Sequence, residues 1–160
     1  AIRPCSDAVA PHGPPLGRYL YSSGAGPGDI DDLVQETFFR AFRNLDRWRG
    51  DASFRTWLFT SAGTLLRDDY RRRKGRLMLS IEDRDIADRA DPAGELDASG
   101  AHGRLRQGLA TLPRLQREVF LMRVQEGSDY AEIASALGTT PGAARVHYHH
   151  AVRRLKELVL

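Results

Sequence analysis

Residues 138–157 read GTTPGAARVHYHHAVRRLKE. Gly138, Thr139 and Thr140 are small turn-forming residues, and Pro141 follows them. A threonine oxygen can accept from the free amides of a helix start, and proline suits the first helical position because its missing N–H has no partner there. The pattern predicts a helix that begins at Pro141 under a Thr140 cap. Ala144, Tyr148, Ala151, Val152, Leu155 and Leu158 recur at helical spacing and form its inward stripe. Gly142, Ala143, Val146, His149, His150 and Arg153 lie outward, with Arg145 and His147 on the flanks.

Just upstream, Asp129 and Glu132 have capping-box spacing at the head of YAEIASAL, which Gly138 closes. Ile133, Ala134 and Leu137 point inward on that short helix. Two helices joined by Gly138-Thr139-Thr140 form a helix-turn-helix. The outer face of the second suits a major groove. Gly142 and Ala143 admit a close backbone, Val146 fits a thymine methyl, and Arg145 and the histidines reach base edges or phosphates. Metal binding is the competing use of His147, His149 and His150. On a helix, His147 and His149 stand about 200° apart and cannot share an ion. His147 and His150 could, but no nearby cysteine or carboxylate pair completes a zinc site. No nucleophile or carboxylate partner for a catalytic histidine is evident either. The expectation is DNA contact without metal or cofactor; a merely solvated face stands as the alternative.

Working toward the N-terminus, RLQREVFLMRVQEG braces the motif, and Leu105, Leu109 and Leu112 mark a short helix stopped by Pro113. Further up, Pro27–Trp48 reads PGDIDDLVQETFFRAFRNLDRW, with an expected N-cap at Asp29. Ile30, Leu33, Val34, Phe38, Ala41, Phe42, Leu45 and Trp48 share one face. Asp32, Glu36, Phe39 and Arg43 share the other, so Phe39 should be exposed among charges. Gly50–Ser53 reads as a loop, and Ser53 as the cap of a helix running to about Lys74. That helix buries Phe54, Trp57, Leu58, Ala62 and Leu65 and ends in Arg71, Arg72, Arg73 and Lys74. The helix dipole favours a basic last turn, but four consecutive cations exceed that need and suit phosphates. Prolines and glycines interrupt Pro11–Gly28, so only Leu16–Ser22 is expected to be helical there, and the first dozen residues mobile.

The charge is partitioned. Residues 1–76 carry 13 Lys/Arg and 9 Asp/Glu, residues 77–101 carry 2 and 7, and residues 102–160 carry 9 and 5. Two basic modules therefore flank an acidic, Gly/Ala-rich stretch. The fold class is all-α: two small helical domains, 1–76 and 102–160, joined by a flexible acidic linker over 77–101. The single cysteine, Cys5, excludes an internal disulfide. The longest largely apolar stretch, Trp57–Leu66, is far short of the ~20 residues that span a bilayer. A soluble, cytoplasmic protein without membrane insertion is expected.

Two blocks carry a resemblance. DIDDLVQETFFRAFRNLDRWRGDASFRTWLF resembles region 2 of the extracytoplasmic-function (ECF) sigma factors, and LPRLQREVFLMRVQEGSDYAEIASALGTTPGAARVHYHHAVRRLKE resembles their region 4. With the linker, this covers about residues 27–158. The resemblance implies a non-enzymatic factor that binds core RNA polymerase and directs promoter recognition. It implies that Asp31, Asp32, Gln35, Glu36 and Phe39 dock on the polymerase's largest subunit. Residues around Arg49–Arg72 would open the −10 element and capture a base. There Arg49, Asp51 and Ser53 form the rim, and Thr64, Arg71, Arg72, Arg73 and Lys74 lie along the strand. Thr140, Gly142, Ala143, Arg145, Val146, His149, His150 and Arg153 would read the −35 element. The linker would follow the polymerase's RNA path, and the two-module layout leaves room for an anti-sigma factor between the modules.

Some positions depart from the family pattern. Ser61, Gly63, Thr64 and Arg67 stand where an isoleucine, a basic residue, an asparagine and an apolar residue are expected. Gly63 should cost up to about 1 kcal/mol of helix stability relative to alanine. Val146, His147 and His150 replace commoner serines and arginines, which implies a distinct −35 preference. Two alternatives stay open at this point: an autonomous dimeric helix-turn-helix regulator, and a degenerate sigma-like protein that does not initiate.

Overall fold

A computed structural model describes residues 3–79 and 100–159. Helix α1 spans Arg3–Ser22, α2 Ile30–Arg43 and α3 Phe54–Leu79. The second half holds α4 (Gly100–Thr111), α5 (Arg114–Glu126), α6 (Tyr130–Leu137) and α7 (Pro141–Val159). The described residues contain no strand, as an all-α fold requires. The linker expected over 77–101 is helical at both ends, since 77–79 continue α3 and Gly100 and Ala101 open α4. Its residues 80–99 lie outside the described ones.

Helix α1 corrects the sequence reading. It runs straight through Pro11, Pro14 and Pro15 instead of starting at Leu16. An interior proline removes one helical hydrogen bond and costs about 3 kcal/mol. Two long-range effects offset this. Leu16, Tyr19 and Leu20 are fully buried, and the Tyr19 ring stacks on Phe59 with centroids 4.5 Å apart. In addition, the Pro11 carbonyl, which in a regular helix would receive the N–H that Pro15 lacks, accepts from Arg55 Nη2 at 3.0 Å.

Helix α2 starts after Asp29, but Asp29 makes no capping hydrogen bond. Its carboxylate meets Arg73 Nη2 at 3.3 Å instead. The helix stops at Arg43 and a 3-10 turn, Leu45–Arg47, follows. Leu45 is thereby rotated out of the expected buried stripe and is exposed. Thr37 was not expected in that stripe; it is fully buried and closes its hydroxyl on the Leu33 carbonyl at 2.6 Å. Ser53 caps α3 as expected, accepting the Thr56 N–H at 3.2 Å.

The C-terminal helices follow their sequence signals closely. Gly127 and Gly138 take left-handed backbone, φ +66° and +70°, and end α5 and α6. Asp129 Oδ1 accepts the Glu132 N–H at 2.8 Å, and Thr140 Oγ1 accepts the Ala143 N–H at 3.1 Å. Val119, Met122, Ile133, Ala144 and Ala151 are buried between these helices. Leu158, expected inward, is exposed because α7 reaches its last turn there.

The halves also pack on each other, α3 against α6 and α1 against α4 and α5, with their buried residues in one apolar cluster. Arg55 stands at this junction. It holds the Pro11 carbonyl, donates its Nε–H to His12 Nδ1 at 3.0 Å, and pairs with the largely buried Glu126 at 2.9 Å. Burial first, and then the Arg55 charge, holds the His12 imidazole below its usual range. Arg55→Ala strands a carbonyl and a carboxylate together. It should cost about 1–3 kcal/mol, read as a lower urea midpoint with far-UV ellipticity lost from α1; an unchanged midpoint would contradict this account of α1.

Candidate functional site

The spacing of α2 puts Asp31, Asp32, Gln35, Glu36 and Phe39 on one helix face, and all are exposed. Phe39 is 59% exposed, whereas Phe38, its chain neighbour, is buried. The Arg43 guanidinium lies 5.1 Å above the Phe39 ring, and Arg40 links Glu36 (3.6 Å) to Asp68 on α3 (3.0 Å). An aromatic ring held outward among fixed charges has a chemistry that suits contact with another protein.

The residues expected on the −10 side do not form one cluster. Arg49, Asp51 and Ser53 are exposed on the loop before α3, and Gly50 in that loop has φ +84°. Beneath it, Trp48, Phe54 and Trp57 pack together with centroids 5.6–6.3 Å apart, and Trp48 Nε1 donates to the Ala52 carbonyl at 2.8 Å. These rings anchor the loop from below. Arg71–Lys74 lie one long stretch of α3 away, about 27 Å at 1.5 Å per residue. Thr64, between the two patches, donates its hydroxyl to the Thr60 carbonyl at 3.1 Å and accepts from Arg67 at 3.3 Å. Arg72 and Arg73 reach Asp69 at 3.5 and 3.1 Å, while Arg71 and Lys74 make no ion pair among the described residues. Tyr70, which sequence reasoning passed over, is exposed beside these cations. An aromatic next to a basic run is the signal that marks a base-stacking platform.

On α7 the outer face is as expected. Thr140, Gly142, Arg145, Val146, His149, His150 and Arg153 are exposed, with Ala143 half-buried beside them. Tyr130 orients the flank: the Arg145 and Arg123 guanidinium groups lie 5.2 and 4.5 Å from its ring centroid. His149 sets its ring edge-on to Tyr148 at 5.9 Å. His147 is turned partly inward, with Nδ1 buried and unpartnered. Among the described residues no group of three His, Cys, Asp or Glu side chains is placed to hold a metal ion.

Three acidic residues make contacts that sequence reasoning missed, Glu132 among them although its place in the α6 cap was expected. Glu132, Glu126 and Glu118 all reach from the C-terminal half to the N-terminal one. Glu132 Oε1 accepts the Ser53 N–H at 2.8 Å. Burial disfavours its charge, yet the Ser53 N–H and the Ser53 and Thr56 hydroxyls together hold it below the usual carboxylate range. Glu118 is 4% exposed and paired with Arg114 at 3.1 Å; burial pushes its carboxyl up, against the pull of Arg114, Arg67 and Arg117.

Comparison with known proteins agrees with this geometry. The family model for sigma-70 region 2 matches residues 8–76, and that for sigma-70 region 4 matches residues 102–155. The ECF RNA polymerase sigma factor SigF of Caulobacter vibrioides is 38% identical over 138 residues, which cover 84% of this chain and 73% of that protein. The RNA polymerase sigma factor NccH of Alcaligenes xylosoxydans xylosoxydans is 33% identical over 94% of this chain and 84% of its own length. The solved structure of CnrH in complex with the cytosolic domain of CnrY superimposes with a TM-score of 0.72 at 28% identity, covering 99% of this chain and 88% of that one. RpoE from Bartonella quintana, solved with the anti-sigma factor NepR, shares the fold with a TM-score of 0.70 at 22% identity over 96% of this chain and 94% of that one.

The chain belongs to the extracytoplasmic-function sigma factors of the sigma-70 family. It is a sigma factor that directs RNA polymerase to promoters and starts transcription; an autonomous regulator would leave the whole region 2 match without a role. Sigma factors are in general not enzymes. No described helix is long and apolar enough to cross a membrane.

The neighbouring phenylalanines of α2 separate docking from packing. Phe38→Ala should cost about 3–5 kcal/mol in thermal unfolding. Phe39→Ala should stay within about 0.5 kcal/mol of the parent. Equal losses would mean that the two rings do not differ in role.

Proposed function

We propose that residues 1–76 engage core RNA polymerase and the −10 element, that residues 102–160 read the −35 element, and that residues 77–101 connect them. The observation that carries this reading is the pair of exposed faces on one chain: the acidic, aromatic face of α2 and the cationic face of α7, which is small at its start. On α2, Phe39 is the apolar anchor, and Asp31, Asp32, Gln35 and Glu36 set its orientation on the polymerase. Arg49, Asp51 and Ser53 rim the site of the captured −10 base; Thr64 and Arg71–Lys74 follow the strand, with Tyr70 as a stacking surface. Helix α7 enters the major groove. Thr140, Gly142 and Ala143 allow close approach, Val146 meets a methyl, and Arg145, His149, His150 and Arg153 take base edges and phosphates.

CnrH and RpoE were each solved bound to a second protein, an anti-sigma factor in the case of RpoE. A partner of that kind fits this chain too. The chain catalyses no reaction and acts in the cytoplasm, where polymerase and promoter DNA are found.

Run-off transcription with core polymerase over a library of upstream sequences tests the reading, and sequence-dependent initiation is the expected result. The double variant Asp32→Ala, Phe39→Ala should weaken core binding about tenfold or more and spare duplex binding by α7. Arg145→Ala should lose about 1–3 kcal/mol of −35 discrimination without unfolding. A chain that never associates with the sigma-free enzyme refutes the assignment.

A further inference from the structure

A cleft of about 590 Å³ opens where α1 and α3 meet α4 and α5, and its size is that of a small-molecule site. Its charged lining is unevenly paired. Arg73 takes both Asp29 and Asp69, at 3.3 and 3.1 Å. Arg114 pairs with Glu118 at 3.1 Å. Arg67 and Arg117 also line the cleft but make no ion pair among the described residues. Each donates one long hydrogen bond, to Thr64 Oγ1 at 3.3 Å and to the Leu112 carbonyl at 3.4 Å. The charges of Arg67, Arg114 and Arg117 all act on the Glu118 carboxyl. Three guanidinium groups thus surround a single acid, and that end of the cleft carries surplus positive charge.

The cleft wall also holds polar atoms with nothing to bond. Tyr19 is fully buried, and its hydroxyl, the Ser23 hydroxyl, Arg67 Nε and Arg117 Nε are all unpartnered in or behind that wall. Buried polar atoms in folded proteins are nearly always bonded, so four idle ones at one place need a reason. All four can donate, and the arginines can do nothing else. Burial, and then the Glu118 charge, push the Tyr19 phenol well above its ordinary range and keep its proton in place. Water could satisfy the two hydroxyls, but it cannot balance the guanidinium charge. The donors also come from different sides: the end of α1, α3 and α5. A carboxylate offers two oxygens in one plane. A phosphate group offers oxygens at tetrahedral corners, each able to accept from a different helix.

Two departures from the family pattern meet on this wall. Arg67 stands where an apolar residue is expected, and Gly63, one turn earlier on α3, where a basic one is. A Cβ at Gly63 would run into Glu118 Oε1. One departure makes room for the acid, and the other adds a cation that acts on it. We propose that the cleft binds phosphate, either free or as the phosphate group of a small metabolite, through Arg67 and Arg117 together with the Tyr19 and Ser23 hydroxyls. Leu33 and Leu66 give the remaining space an apolar side suited to the body of a phosphate ester. The site does not depend on which promoter element either half reads.

Isothermal titration calorimetry on the chain, at an ionic strength fixed with sodium chloride, tests the site with inorganic phosphate and AMP. At least one probe should saturate a single site per chain. Tighter binding of AMP identifies an ester as the ligand, and tighter binding of inorganic phosphate the free anion. Arg67→Gln and Arg117→Gln should each weaken the better probe about tenfold, the scale of a lost charge-assisted hydrogen bond. Tyr19→Phe keeps the ring that stacks on Phe59 and should weaken binding several-fold without lowering the melting temperature. Glu118→Gln removes the repelling carboxylate and should tighten binding. Arg104→Gln, exposed on α4 and outside the cleft, should change nothing. Arg67 is half-buried with one long hydrogen bond, so its variant decides the matter even if Arg117→Gln fails to fold. No saturation by either probe overturns the site. So does saturation that Arg67→Gln leaves untouched, or that Arg104→Gln weakens equally, since general attraction to a basic surface behaves that way.

Discussion

The stack of Tyr19 on Phe59 is the contact on which most of this molecule depends. Without it α1 has little reason to exist. Its own sequence opposes it, with prolines at 11, 14 and 15. Once Leu16, Tyr19 and Leu20 are drawn onto α3, the turn carrying Pro11 is brought beside Arg55, which takes up the carbonyl that Pro15 cannot serve. The same guanidinium then holds Glu126, and Gln125 donates to the Pro15 carbonyl at 2.8 Å. A helix that is locally unfavourable thus becomes the seat on which α5 rests. Arg106 repeats the theme at the other end of α1, donating to the carbonyls of Tyr21 and Ala25 at 3.1 and 3.0 Å. Apart from the Pro11 carbonyl, these backbone groups of α1 and the turn after it are paired by side chains from the C-terminal half.

The distribution of charge follows from this arrangement. On α2 the acids face outward, free of the core, where they can meet a protein surface. In the C-terminal half, Glu118, Glu126 and Glu132 turn toward α3, and Asp129 is taken up in capping α6. From Gly142 to Arg153 the outer face of α7 therefore carries arginines and histidines and no carboxylate; Glu157, one turn further, is exposed on the same face. Turning these acids inward leaves that stretch of α7 without an opposing charge, and gives Ser53 and Arg55 of the N-terminal half their carboxylate partners.

Where the information is local, the sequence discloses it. Thr140-Pro141, Asp129 and the two left-handed glycines place α6 and α7 almost to the residue, because caps act within four residues of themselves. The contrast of Phe38 with Phe39 was likewise legible from a single helical period. Leu45 and Leu158 were misassigned because periodicity does not say where a helix stops. Asp29 failed as a cap because Arg73, distant in sequence, competes for its carboxylate. The failure at α1 has a different source: proline's local meaning is correct, and burial plus Arg55 override it. Gly63 could be read from sequence only as a defect in α3. Its meaning depends on Glu118, just as that of the Ser53 amide depends on Glu132, and no window along the chain contains both partners.

The histidines of α7 bear on how tightly this half can hold duplex by itself. Of the residues expected to read the −35 element only Arg145 and Arg153 are permanent cations, with Val146, His149 and His150 between them, so that stretch can make few charge-neutralising phosphate contacts. Affinity for duplex rises with the number of such contacts, so this half binds promoter weakly unless something else holds it there. Polymerase supplies that hold by making the second contact effectively intramolecular.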